Sequence, residues 1–240
     1  MLDLGLAAKR ALVNGGGQGL GLVAARALAS QGVAVALVGP DERALDRVAP
    51  EIGALAVPAG AGRRGPIDGA VREGERALGG IDILINAAPV VTAPAPLHEI
   101  DDVDWERAGA EHVLGYLRFM RAATPGMRAR RHGRVLNVTG VIGRNPDPRR
   151  LPESTAAIAV LNLTKAVADE LAPDGVTVNA LSPGEFTGPD GEGAADEAIP
   201  AGRPGTPGEF SDLVLFLCSE RAAYVTGASI TVDGGRSRGI

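Results

Sequence analysis

The chain has 240 residues, 45% of them hydrophobic, and a formal net charge of −5. That is apolar material enough for the core of one domain, and it excludes global disorder and a broad basic face for nucleic acid. A single cysteine, Cys218, excludes an internal disulfide and a multi-thiolate metal site, and three scattered histidines give no metal cage either.

The first residues hold no basic stretch followed by an apolar one, and no uncharged apolar run approaches the ~18 residues of a membrane span. A cytoplasmic protein without membrane contact is expected. Apolar runs follow at 11–13, 33–38, 54–57, 81–85, 134–138, 176–181 and 229–232. Helix-length segments lie between them at 20–30, 42–48, 67–78, 103–130, 153–171 and 207–219. Apolar, β-branched strands alternating with helices predict a parallel sheet covered on both faces. The expectation is an α/β, doubly wound, Rossmann-like sheet of about seven strands in a three-layer sandwich, with residues 1–240 as one domain. Residues 183–206, rich in Gly, Pro, Ala and acids, are expected to form a mobile loop over the ligand crevice. The arginine run 128–134 is expected to be solvated at a helix C-terminus, and Cys218 to lie in the core.

The segment Asn14-Gly-Gly-Gly-Gln-Gly-Leu-Gly21 follows the first strand and opens a helix. Glycines there allow a tight turn and close backbone approach to a pyrophosphate, and the free N–H groups of a helix N-terminus favour anions. The strand–turn–helix context points to a dinucleotide site.

With this loop the chain resembles the short-chain dehydrogenase/reductase family, and the resemblance covers nearly its whole length. Asp82-Ile-Leu-Ile-Asn-Ala-Ala88, Gly133-Arg-Val-Leu-Asn-Val-Thr139, Ser182-Pro-Gly184, Gly202-Arg-Pro-Gly-Thr-Pro207 and Tyr224-Val-Thr-Gly-Ala-Ser-Ile-Thr-Val-Asp-Gly-Gly235 carry it further. The resemblance implies NAD or NADP as cofactor, a small-molecule carbonyl or alcohol substrate, and a homo-oligomer, tetramer or dimer. It implies cofactor contacts at Asn14, Gly15, Gly17, Gln18, Gly19, Leu20, Gly21, Asn86, Ala87, Pro183, Gly184 and Thr187. It also implies a catalytic Asn, Ser, Tyr and Lys, and here this chain departs. The corresponding positions are His112, Gly140, Glu153 and Ala157. The 24 basic residues comprise two lysines, Lys9 and Lys165, and 22 arginines; the two tyrosines are Tyr116 and Tyr224. No shift of alignment brings either pair to the expected positions, so tyrosine-dependent ketoreduction is expected to be very slow.

The cofactor site departs too. Gly39 and Pro40 stand where an acid would select NAD or an arginine NADP, with Asp41 or Arg43 as substitutes. Gly60 stands where an adenine-contacting Asp is implied, and Pro89 where a glycine N–H would donate. Glu153 and His112 are candidates for an acid–base couple facing the crevice, with Tyr116 one turn after His112. The alternatives are a histidine hydrogen-bonded at a subunit interface and an acid favoured by a helix dipole. Thr139 is a candidate to orient a substrate oxygen or to cap its strand. Three functions stay open: an oxidoreductase with a non-standard proton carrier, a non-redox cyclase, isomerase or lyase, and an inactive subunit in a hetero-oligomer with an active homologue.

Overall fold

The computed structural model describes residues 3–88, 92–188 and 196–238. Seven strands form one parallel sheet: β1 (Arg10–Asn14), β2 (Ala34–Gly39), β3 (Leu55–Pro58), β4 (Ile83–Asn86), β5 (Gly133–Val138), β6 (Val176–Pro183) and β7 (Ser229–Val232). Their spatial order is β3-β2-β1-β4-β5-β6-β7, with β1 against both β2 and β4. The chain thus builds one half of the sheet outward from β1, then returns to build the other. That reversal leaves a crevice at the carboxyl ends of β1 and β4, where α/β folds bind ligands.

The strands alternate their side chains between two cores. Ala11, Val13, Ile83, Ile85, Leu136, Val138 and Leu181 face α1 (Gly19–Ser30) and α7 (Pro207–Cys218) through Leu28, Phe210 and Leu217. Leu12, Leu84, Val135, Val176 and Val178 face α3 (Arg64–Leu78), α5 (Leu114–Arg130) and α6 (Leu151–Leu171) through Ile67, Phe119, Met127 and Leu171. Burial on both faces explains why the strands read as unbroken apolar runs.

Capping chemistry sets several helix starts. The Asp41 carboxylate accepts from the Ala44 N–H and opens α2 (Glu42–Val48). Thr206 and Glu209 form a capping box at α7, with Pro207 in its first turn. By contrast, Gln18 gives α1 no side-chain cap, so the first N–H groups of α1 stay free toward the crevice.

The expected single helix over 103–130 is interrupted. A short α4 (Asp102–Ala108) passes into a π-helical turn, Gly109–Val113, before α5. A π turn holds one more residue than an α turn, so it rotates every side chain after it. The 183–206 loop is tied at both described ends. The Thr187 N–H donates to the Gly205 carbonyl at 2.8 Å, the Gly205 N–H to that of Glu185 at 3.0 Å, and Phe186 stacks edge-on against Phe210. Residues 189–195 of that loop, and Pro89, lie outside the described residues.

The arginine run departs from the solvated expectation at its end. Arg134 on β5 is buried, donating to the carbonyls of Ser219 and Gly133 and to Glu220. Cys218 is buried, which pushes its thiol up to about 12.

Candidate active site

The glycine loop is a cradle whose backbone leaves no room for a side chain at Gly15 or Gly21. Gly15 has φ +81°, and a Cβ there would sit 2.6 Å from the Ala87 carbonyl. A Cβ on Gly21 would collide with the Gly15 carbonyl, so this glycine lets α1 pack onto the turn. Gly19, at φ +54°, faces open space. The loop is held from below, since the Gly15 N–H donates to Val38 at 2.8 Å and the Ala87 N–H to Asn14 at 2.8 Å.

One cavity of about 210 Å³ opens beside this loop, lined by Asn14, Gly15, Gly17, Gln18, Asp41 and Glu111 among others. A second cavity lies beyond α1, lined by Gly19, Leu20, Gly184 and Thr187. Of the buried polar atoms without partners among the described residues, Asn14 Nδ2 and Thr187 Oγ1 belong to residues that line these cavities. Buried polar atoms without partners are costly unless a ligand or water meets them. A buried polar chain runs from β4 through β5 to α6, with Asn86 Nδ2 donating to Asn137 Oδ1 and Asn137 Nδ2 to Thr164, both at 2.9 Å. Asn86 Oδ1 is left unpartnered.

A third cavity, about 570 Å³, adjoins the ends of β5 and β6, with Gly140, Glu153, Pro183 and Gly184 in its lining. Glu153 stands in the first turn of α6. Its Oε1 accepts both donors of Thr92, the backbone N–H and the hydroxyl, and its Oε2 lies 3.7 Å from Arg150.

The profile of the family described as Enoyl-(Acyl carrier protein) reductase matches residues 15–237. Nodulation protein G of Rhizobium sp. (strain N33) is 33% identical over 239 residues, covering 96% of this chain and 97% of that protein. The chain belongs to the short-chain dehydrogenase/reductase family. The structure of L-sorbose reductase from Gluconobacter frateurii, complexed with NADPH and L-sorbose, is similar with a TM-score of 0.92 at 26% identity over the full length of both chains. That of 3-ketoacyl-(acyl-carrier-protein) reductase from Brucella melitensis, complexed with NADH, is similar with a TM-score of 0.91 at 31% identity, covering 97% of this chain and 99% of that one.

The residues present fit the nicotinamide dinucleotide of a short-chain dehydrogenase/reductase. The glycine cradle, the uncapped α1 terminus and the unpartnered Asn14 and Thr187 atoms lie along two cavities that flank the start of α1. Of the cofactor residues named from the sequence, Asn14, Gly15, Gly17 and Gln18 line the first cavity. Gly19, Leu20, Gly184 and Thr187 line the second, and Pro183 lines the third with Gly184. Gly21 and Ala87 form the packing beneath the cradle.

The expected couple of Glu153 with His112 is not formed. His112 is buried in the π turn, its ring 4.7 Å from that of Tyr116, and its Nε2 has no partner among the described residues. Burial lowers its pKa to about 4, so the imidazole is neutral at physiological pH. The Tyr116 hydroxyl is fully buried between the carbonyls of Val138 (2.9 Å) and Ala88 (3.1 Å), and desolvation raises its pKa far above the ordinary phenol value. Neither side chain reaches the Glu153 carboxylate, whose hydrogen bonds come from Thr92. Thr139 Oγ1 lies 3.2 Å from Ser182 Oγ and 3.4 Å from the Leu181 carbonyl, tying the ends of β5 and β6. Tyr224 is wholly exposed, Lys165 pairs with Asp169, and Lys9 pairs with Glu220.

Four contributors escaped the sequence. Glu111 enters the first cavity because the π turn swings it there. Thr92 meets Glu153 across 61 residues of chain. Arg236 and Arg238 come from the C-terminal segment to line the third cavity. No local pattern marks any of them.

Proposed function

We propose that this protein is an NAD(P)-dependent oxidoreductase acting on a small alcohol or carbonyl substrate, with Glu153 carrying the proton that a tyrosine carries in the family pattern. The supporting observation is the buried Glu153 carboxylate in the lining of the cavity that adjoins the cofactor path. The dinucleotide, when bound, supplies or accepts the hydride. Asn14, the glycine cradle and Thr187 hold it. Glu153 sits with Oε1 fixed by Thr92, leaving Oε2 toward Arg150 and the cavity. Carboxylates act as bases near neutral pH, so Glu153 takes the hydroxyl proton of an alcohol as its carbon is oxidised. Assembly as a dimer or tetramer belongs with this function, since Leu114 on α5 and Ile158 on α6 expose apolar side chains that a second copy would cover.

The test is NADH or NADPH formation at 340 nm across a panel of secondary alcohols, with the parent and Glu153→Gln. The variant keeps the Thr92 hydrogen bonds but cannot take a proton. Loss of about 10²–10⁴ in turnover is expected, with cofactor affinity retained. Equal turnover in the variant removes Glu153 from the mechanism. A second function rests on Gly140 and Ala157, where a serine and a lysine are implied: a cofactor-binding subunit without turnover, paired with an active homologue. No turnover in any alcohol or ketone, with a homologous chain co-purifying from the native host, favours that alternative.

A further inference from the structure

The third cavity has a wall formed from the far end of the chain. The C-terminal segment folds back over the mouth and is pinned there. Asn145 Nδ2 donates to Ser237 Oγ at 2.5 Å, and the Asp233 carboxylate accepts from the N–H groups of Ser237 (2.7 Å) and Gly235 (2.9 Å). This brings Arg236 and Arg238 to the lining, facing a cavity that also contains Arg150.

The close ion pairs there do not engage every guanidinium. Arg236 is neutralised by Glu185 at 2.6 Å and Asp196 at 3.5 Å. The Asp147 carboxylate turns onto its own loop, accepting from the Arg149 N–H at 2.8 Å. Glu153 spends Oε1 on Thr92. Arg150 has only a long contact to Glu153, 3.7 Å, and Arg238 has no ion-pair partner among the described residues. Two guanidiniums without a close ion pair therefore line, beside the carboxylates of Asp147, Glu153 and Glu185, a cavity of a size that ligand sites commonly have. Guanidinium groups bind planar or tetrahedral oxyanions through paired N–H donors.

We propose that the substrate carries a fixed anionic group, a carboxylate, sulfonate or phosphate, which Arg150 and Arg238 bind while the reacting carbon lies beside Glu153. This rests on the oxidoreductase function above and names its substrate class.

The test uses matched probes, 3-hydroxybutyrate and its uncharged methyl ester. Each is titrated by calorimetry into protein saturated with NAD⁺, for the parent, Arg238→Gln and Arg150→Gln. The expected result is preference for the acid by about tenfold, reduced in each variant, with NAD⁺ affinity unchanged in Arg238→Gln. Equal binding of acid and ester in the parent overturns the proposal, and so does a preference that survives both substitutions. To separate carboxylate from tetrahedral anion, inorganic phosphate and methanesulfonate are run as competitors. Competition by either one, lost in Arg238→Gln, supports the anion site, and competition undiminished there overturns it. Failure of the parent to bind NAD⁺ or NADP⁺ overturns the oxidoreductase function itself, and this inference with it.

Discussion

At the scale of single residues, His112 shows how a candidate catalytic group becomes a structural one. In the sequence His112 reads as half of a proton-transfer couple or as a histidine hydrogen-bonded at a subunit interface. The structure buries it against Tyr116, where no hydrogen bond offsets the desolvation of an imidazolium. The linkage has a definite sign. In the unfolded chain the imidazole titrates near its ordinary value of about 6.5, and in the fold near about 4. Between those values the unfolded chain binds the extra proton, so stability is complete above the upper value and falls as pH drops toward the lower one. His112→Phe keeps a ring against Tyr116 and removes the titration. Urea unfolding at pH 7.5 and pH 5 should show the parent losing about 2 kcal/mol more than the variant. Parallel pH profiles contradict a buried neutral imidazole. Glu153 tells the converse story. Its identity was visible in the sequence, but its partner Thr92 was not, since the stretch between them carries no periodicity that pairs the two.

At the scale of elements, the glycine loop was legible because its chemistry is local. Strand, turn and helix are contiguous, and Gly15 and Gly21 are demanded by backbone contacts within that one unit. Of the two acids in the first cavity, Asp41 was legible in the sequence and Glu111 was not. Asp41 caps α2, and Glu111 arrives from the π turn between α4 and α5. Among the described residues the two are the only charged side chains lining that cavity, and both are acids. A 2′-phosphate would meet carboxylates, while ribose hydroxyls could donate to them. NADH should therefore bind at least about tenfold more tightly than NADPH in a fluorescence titration. Asp41→Asn with Glu111→Gln should narrow that gap while α2 keeps its cap, because Asn caps as well as Asp. Tighter binding of NADPH by the parent would show that Arg43 or another cation reaches the phosphate.

At the scale of the whole molecule, one acid ties together segments that are far apart in sequence. Glu220, just after α7, pairs with Lys9 near the N-terminus at 2.9 Å and with Arg134 on β5 at 3.1 Å, and lies 3.7 Å from His132. These cations hold its carboxyl below the ordinary range. Arg134 is buried, so removing its charged partner leaves a guanidinium with carbonyls alone. Glu220→Gln should destabilise the fold by about 1–3 kcal/mol, seen as a lower denaturation midpoint with an unchanged slope. A slope change instead would mean that the substitution loosens the native ensemble.

The amino-acid sequence by itself determined the strand–helix alternation, the parallel sheet and the dinucleotide cradle. It also determined the identities at 140, 153 and 157. All of these follow from periodicity and turn chemistry acting over a few residues, and every conformation of the chain carries them. The tertiary structure alone decided which side chains face one another. The sheet order sets residues 92 and 153 together, the π turn sends Glu111 into the cleft and His112 into the core, and the folded-back C-terminus places Arg238 opposite Arg150. Such pairings depend on closing long loops around a shared core, and no short-range pattern encodes where those loops close.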